Sequence, residues 1–426
     1  GLPILYNNLV SFNERIPKNE SKYIINNHEE HEYYNYGILS KNFTKFLIHV
    51  TSFDYYLNKS TNSLKLELLN EIKVNNIEKN EIKFNKIKKY AIYFPQFHEV
   101  KENNINFYEG YTDIINLKNL NVKNKEIPNM KILDLKNIND YDLSLNEQLI
   151  SKQIELINKY NIDGFAMYYY WFSTNTITNK KRVMYDIPKR FLDTDMKGKK
   201  VFFIWANENW SDNAAFGKNN HKIINDYSDI EEHCQELIPI FKKNNYLKID
   251  NSPVFYIHHP WYMSTEQINK FKNHMYKLCI ENGFNGFDLK INAMNSLQKD
   301  ILESKKNYYE FHPNYKQTKT IFKDKDQIEL NYEKYVDEEL NCLTDVNTIF
   351  FDFDNRARLS NPNRLDQSTI CINNTNENHM KYLNKIKNSD TQILLINAWN
   401  EWGERMHIEP SEQRGDYYLD LIKNYF

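Results

Sequence analysis

Tyr90-Ala91-Ile92-Tyr93-Phe94-Pro95-Gln96-Phe97-His98 is the stretch that decides the fold. Its apolar and aromatic first half predicts a strand buried on both faces, and Pro95 has no amide hydrogen to give to a sheet. The residues just beyond the strand matter more. A doubly wound nucleotide-binding sheet usually places a glycine-rich phosphate loop there. Here the strand runs into Gln96-Phe97-His98, and the whole 426-residue chain contains ten glycines. No phosphate cradle of that kind is available.

Working outward, the pattern of this first run recurs without the sequence repeating. Tyr90–Phe97 is succeeded by Gly164–Trp171, Lys200–Asn207, Pro253–His259, Asp288–Met294, Asn307–His312, Thr348–Asn355 and Gln392–Trp399. Amphipathic segments lie between them. Ser144 with Glu147 reads as a capping box ahead of a face made by Leu145, Leu149, Ile150, Ile154 and Ile157. Ser264–Cys279 and Asn376–Ile386 look similar, and Tyr417–Ile422 fits a closing helix. Eight buried strands alternating with helices predict an α/β (β/α)8 TIM-type barrel over 89–426, preceded by an N-terminal accessory segment, 1–88. That segment holds a candidate strand, Phe46–Thr51, and a candidate helix, Ser63–Ile72. A barrel with an extension suits this length, and its core needs no disulfide or metal.

Composition excludes several classes. Lys and Arg number 55 against 57 Asp and Glu, without the basic surplus a nucleic-acid partner usually needs. No apolar run approaches the roughly 18 residues of a membrane helix. No charged-then-apolar leader is visible, so a cytoplasmic protein is expected. The chain opens on Gly1-Leu2-Pro3, which leaves room for neighbouring domains. Cys234, Cys279, Cys342 and Cys371 lie too far apart for a zinc knuckle or disulfide framework and read as reduced thiols. Aromatic residues make up 15% of the chain and crowd beside particular motifs. Their flat faces with polar rims suit sugars.

Barrel enzymes keep their sites at the carboxyl ends of the strands. Collected there are Tyr93, Gln96 and His98; Tyr168, Tyr170 and Trp171; Trp205, Asn207, Glu208 and Trp210; and Asp354, Asn355 and Arg358. Last come Trp399, Asn400, Glu401, Trp402, Glu404, His407 and Glu409. The final run is the most specific, because two carboxylates three residues apart are framed by two tryptophans after an apolar strand. Glycoside chemistry uses such a pair: one carboxyl protonates the leaving oxygen, the other assists displacement at the sugar carbon. An aromatic and amide wall of Tyr168, Tyr170, Trp205, Asn207, Glu208 and Trp210 is expected in the same pocket.

Several other motifs compete. His28-Glu29-Glu30-His31 spaces its histidines by three instead of the four a zinc-protease helix requires. Asn42-Phe43-Thr44 and Asn58-Lys59-Ser60 are sequon matches of the kind an Asn-rich chain produces by chance. Asp352-Phe353-Asp354 is a D-x-D, a metal signature of many sugar-nucleotide transferases; alternate strand residues share a face, so both carboxylates could meet one cation.

Taken together, these segments resemble the WbsX-type proteins of bacterial surface-polysaccharide loci, which are related to glycoside hydrolase family 99, the endo-α-mannosidase family. The resemblance runs from Tyr93-Phe94-Pro95-Gln96-Phe97-His98 with Glu102-Asn103, through Tyr168-Tyr169-Tyr170-Trp171 and Trp205-Ala206-Asn207-Glu208-Asn209-Trp210. It continues to Asp354-Asn355 with Arg358, and to Trp399-Asn400-Glu401-Trp402-Gly403-Glu404 with Glu409-Pro410. It implies a barrel acting with retention at α-linked mannose-type sugars of an oligosaccharide or polysaccharide, without metal or cofactor. By the same resemblance Glu401 deprotonates the sugar 2-hydroxyl, and Glu404 acts as acid and then base. The sequence departs from the family at Arg405-Met406, where Gly usually comes after the second Glu. It also lacks a tryptophan just beyond Gly110-Tyr111-Thr112-Asp113. Two alternatives stay open: a nucleotide-sugar-dependent glycosyltransferase of O-antigen, lipopolysaccharide or capsule assembly, and a non-catalytic glycan-binding barrel.

Overall fold

A computed structural model describes residues 86–119, 125–210, 221–293, 304–313, 321–324, 327–358 and 368–426, with the short parallel pair Tyr6–Asn7 and Ile24–Ile25. The chain divides into two units, Gly1–Phe84 and Asn85–Phe426. The expected strand at 46–51, the helix at 63–72, both sequons and the 28–31 histidine pair lie outside the described residues.

All eight expected strands form. They are β1 (Lys88–Tyr93), β2 (Gly164–Trp171), β3 (Lys200–Trp205), β4 (Ser252–Ile257), β5 (Asp288–Asn292), β6 (Tyr308–Tyr309), β7 (Val346–Ile349) and β8 (Ile393–Ile396). Every neighbouring pair is parallel, in the order β6-β5-β4-β3-β2-β1-β8-β7. The ends of this order meet: the Glu310 amide donates to the Val346 carbonyl at 2.9 Å, so the sheet curls into a nearly closed TIM-like barrel. Gly164 has φ +153°, and a side chain there would strike the Lys200 carbonyl at 1.8 Å, so only glycine lets β2 approach β3 at its start.

Strands buried on both sides leave their apolar residues two destinations, the lumen and the helix layer. On β2 the split obeys strict alternation. Phe165, Tyr169 and Trp171 meet the helices: Tyr169 and Trp171 stack on His233 of the helix Ile230–Phe241, and Phe165 packs against Phe191. Tyr168 and Tyr170 take the opposite face.

The helices that hold the site are α1 (Lys101–Asn106), α2 (Asp113–Asn119) and α3 (Glu147–Lys159). Glu102 of α1 accepts from Asn175 at 2.8 Å and so ties α1 to the loop after β2. Helix α3 buries the expected Leu149, Ile150, Ile154 and Ile157. Its cap differs from the sequence expectation. Asn146 caps it by accepting from the Leu149 amide, while Asp142 captures the Ser144 hydroxyl and amide in a turn of its own. Leu145 therefore precedes the helix and is 84% exposed. At the helix Thr265–Glu281, Ser264 and Gln267 do form the reciprocal capping box.

Candidate active site

The first strand and the last are clamped together at their carboxyl ends. Asn400, fully buried, accepts from the Phe94 amide at 2.8 Å and donates to the Phe94 carbonyl at 3.0 Å. Two residues later the chain enters the tight turn Trp402–Glu404, which ends with Arg405 in the left-handed conformation at φ +53°. Such a turn brings Glu401 and Glu404 to one side.

Arg358 joins them. Its Nη2 donates to Glu401 Oε2 at 2.6 Å and its Nη1 to Glu404 Oε1 at 2.7 Å. The same Nη2 also meets a third carboxylate, Asp113 Oδ2, at 2.6 Å. The guanidinium lies over the Phe94 ring at 4.9 Å. Glu401 has a side chain 7% exposed, against 25% for Glu404. Burial raises the Glu401 carboxyl to about 8; Arg358 pulls it down, while Glu404 and Asp113 push it up. Three carboxylates around one guanidinium carry more negative charge than it can offset, and this favours the protonated form of the buried Glu401.

Tyr168 and Tyr170 face this cluster. Burial and then the Glu401 charge hold the Tyr168 hydroxyl far above its ordinary value; for Tyr170 the Glu208 charge comes before that of Glu401. The Tyr170 ring meets Trp210 edge-on at 5.3 Å. Glu208 lies 3.3 Å from His259 Nε2. Burial pushes its carboxyl up, but the hydrogen bond and charge of His259 outweigh that and hold it below its ordinary value. Of the expected wall, Tyr168, Tyr170, Glu208 and Trp210 thus connect to the glutamates.

The remaining residues named from sequence take other positions. Trp171 and Trp205 meet His233 on the helix side, and the Trp205 indole donates to the Trp171 carbonyl. Asn207 is a clamp like Asn400, accepting from the His259 amide at 2.8 Å and donating to its carbonyl at 2.9 Å. Tyr93 donates to Gln153 of α3 at 2.8 Å, and Trp399 packs edge-on against Phe165. His98 is buried against the Pro95 carbonyl, and Gln96 is buried beside it in the loop after β1. Glu409 lies behind the Trp402–Glu404 turn, accepting from Gln153 at 2.7 Å and from the Trp402 indole at 3.2 Å. Burial raises it to about 7. His407 stacks on Trp402 and approaches Glu126 at 3.3 Å.

Both carboxylates of the D-x-D do meet one cation, but it belongs to the protein. Arg405 reaches Asp352 at 3.0 Å and Asp354 at 3.3 Å. Arg414 takes Asp352 at 2.6 Å, and Arg356 takes Asp354. Among the described residues no cluster of His, Cys, Asp or Glu is arranged to hold a metal. These contacts also hold Arg405 in its left-handed backbone position. A left-handed backbone favours glycine, and the double ion pair offsets that preference. Asn355 accepts from the Thr369 amide at 2.8 Å and so shapes the turn that presents Arg358.

Asp113 is the site residue that sequence reasoning left out. The signal was present in Tyr111-Thr112-Asp113, an acidic residue opening the second helix after the first strand, but nothing in the pattern says that α2 docks on the Trp402–Glu404 turn beyond the last strand.

An eight-stranded barrel with the buried Glu401 and the half-buried Glu404 beyond its last strand, matched to a carbohydrate-active family over most of its length, is a carbohydrate-active barrel protein. The chain belongs to the glycosyltransferase WbsX family, whose model matches residues 89–422. It is 20% identical over 360 residues to the uncharacterised protein WxcX of Xanthomonas campestris pv. campestris, in strain B100 and in strain ATCC 33913 alike. That match covers 78% of this chain and 48% of WxcX, so the chain spans about half the length of these curated relatives. Among solved structures it is similar to a GH99 endo-alpha-mannosidase from Bacteroides thetaiotaomicron, at 11% identity and a TM-score of 0.50, covering 79% of this chain and 95% of that one. At that identity the likeness shows the shared barrel fold.

Proposed function

We propose that this protein is a retaining carbohydrate-active enzyme that cleaves or transfers at an α-linked mannose-type bond of a bacterial-type surface polysaccharide or glycan. The observation that carries the reading is the single guanidinium of Arg358 holding Glu401 and Glu404 together beyond β8. In this reading Glu401 takes the proton of the sugar 2-hydroxyl while that oxygen attacks its own anomeric carbon. Glu404 gives a proton to the departing oxygen. The 1,2-anhydro sugar is then opened by water or an acceptor hydroxyl, which Glu404 deprotonates as Glu401 returns its proton to the 2-oxygen. The more open position of Glu404 suits a group that must meet leaving group and acceptor in turn. The buried Glu401, once ionised, is a stronger base than an ordinary carboxylate.

Glu401→Gln and Glu404→Gln should each lower turnover at least about a hundredfold, with the fold kept. An activated aryl glycoside needs little proton assistance, so it should partly spare Glu404→Gln and not Glu401→Gln. The sign of the pH dependence comes from the same roles: the reactive form keeps one proton on the pair, with Glu401 ionised and Glu404 protonated, so kcat/KM should be bell-shaped and fall as the last proton leaves near about 8. Turnover that kept rising above that range would show that no proton on the pair is needed. Near-wild-type turnover in folded Glu401→Gln would remove the mechanism.

A second reading, transfer from a nucleotide sugar, draws on the family's description as a glycosyltransferase. The D-x-D it would use is engaged by Arg405, Arg414 and Arg356. Calorimetric titration with nucleoside diphosphates and manganese separates the two, since tight binding favours the nucleotide-sugar route.

A further inference from the structure

Asp113 is 2% exposed, and its two oxygens are differently engaged. Oδ1 accepts from the Tyr111 hydroxyl at 3.1 Å; Oδ2 accepts from Arg358 Nη2, the nitrogen that also serves Glu401. The approach is built into the turn between the glutamates. A Cβ on Gly403 would lie 2.7 Å from Asp113 Oδ2 and 3.3 Å from Arg358 Nε, so any other residue there would displace one of them. Helix α2 is held to the Arg358 turn a second time, through Asn116 donating to the Ala357 carbonyl at 3.1 Å.

Building on the reading of Glu401 and Glu404 above, we propose that Asp113 is a third carboxylate of this site. It is a positioning residue that fixes Arg358 between the two glutamates and sets how tightly Glu401 holds its proton. The charged and titratable groups facing Glu401 are Arg358, Glu404 and Asp113, with the hydroxyls of Tyr168 and Tyr170 across from them. Asp113 acts on Glu401 in two ways with one sign. Its negative charge repels the ionised form directly, and it competes for the guanidinium that would otherwise stabilise that form. Without Asp113, Arg358 serves the glutamates alone and Glu401 gives up its proton more easily.

Asp113→Asn keeps the shape and removes the charge. The test is the titration of Glu401 by carboxyl carbon NMR, assigned by difference against Glu401→Gln, which requires no substrate and stands whether or not the proposed reaction is correct. The Glu401 midpoint should fall by about one pH unit or more in Asp113→Asn. Any pH–rate limb carried by Glu401 should move with it. Asn116→Ala loosens the same helix without touching a charge and should leave the midpoint in place. Asp113→Ser, smaller and also uncharged, serves if the amide is not tolerated. An unmoved midpoint in a folded uncharged variant, or an equal shift in Asn116→Ala, overturns the proposal.

Discussion

Glu409 is a buried carboxylate whose hydrogen-bond donors, Tyr141, Gln153 and Trp402, are all neutral. They share its charge but do not cancel it, and burial raises its carboxyl to about 7. A folded-state value above the unfolded one means that the folded protein binds an extra proton between about pH 4.5 and about 7. Stability from this group is therefore fully present at low pH and is lost as pH rises through about 7, on the order of 3 kcal/mol in all. Glu401 adds to the slope with the same sign, up to about 8. Glu409→Gln cannot ionise, so its melting temperature should fall less steeply than wild type between about pH 5 and about pH 8. Parallel slopes in the two proteins would contradict the linkage.

At the scale of the element, the sequence located the strands better than it oriented their side chains. Gly164–Trp171 is observed with its expected ends, and the pairing of Glu401 with Glu404 was legible from their spacing in a tight turn. The direction of each aromatic side chain was not. In a barrel strand both faces are buried, so Trp205 against His233 and Tyr168 toward Glu401 carry the same apolar signature. The capping mistake at α3 has a similar origin. Ser144 and Asn146 are both good caps, and only Asp142, which captures Ser144, decides between them. Alternation along β2 yields a direct test. Removing the hydroxyl in Tyr168→Phe should lower kcat/KM on the order of tenfold, since it faces the glutamates. Tyr169→Phe, on the helix face, should leave kcat/KM close to wild type, as steady-state kinetics on both variants would register. Equal losses would mean that the two faces of β2 are not divided in this way.

For the whole molecule, eight runs of sequence predicted eight strands, yet the sequence does not say how evenly the ring is held. β2 and β3 pair over six positions, Gly164 with Lys200 through Tyr169 with Trp205. β5 and β6 pair over two, Ile291 with Tyr308 and Asn292 with Tyr309. Between β6 and β7 the ring is completed by the Glu310 amide on the Val346 carbonyl, by the Thr348 hydroxyl on the Glu310 carbonyl at 2.6 Å, and by the Thr344 amide on the Glu310 carboxylate at 2.8 Å. A hoop strains first at its thinnest weld. Local opening tracks the density of protecting bonds, so deuterium should enter at Glu310 well before it reaches Phe202 and Ile204 in β3. Exchange monitored by mass spectrometry reads this order peptide by peptide, and simultaneous uptake around the ring would show that the barrel breathes as one body.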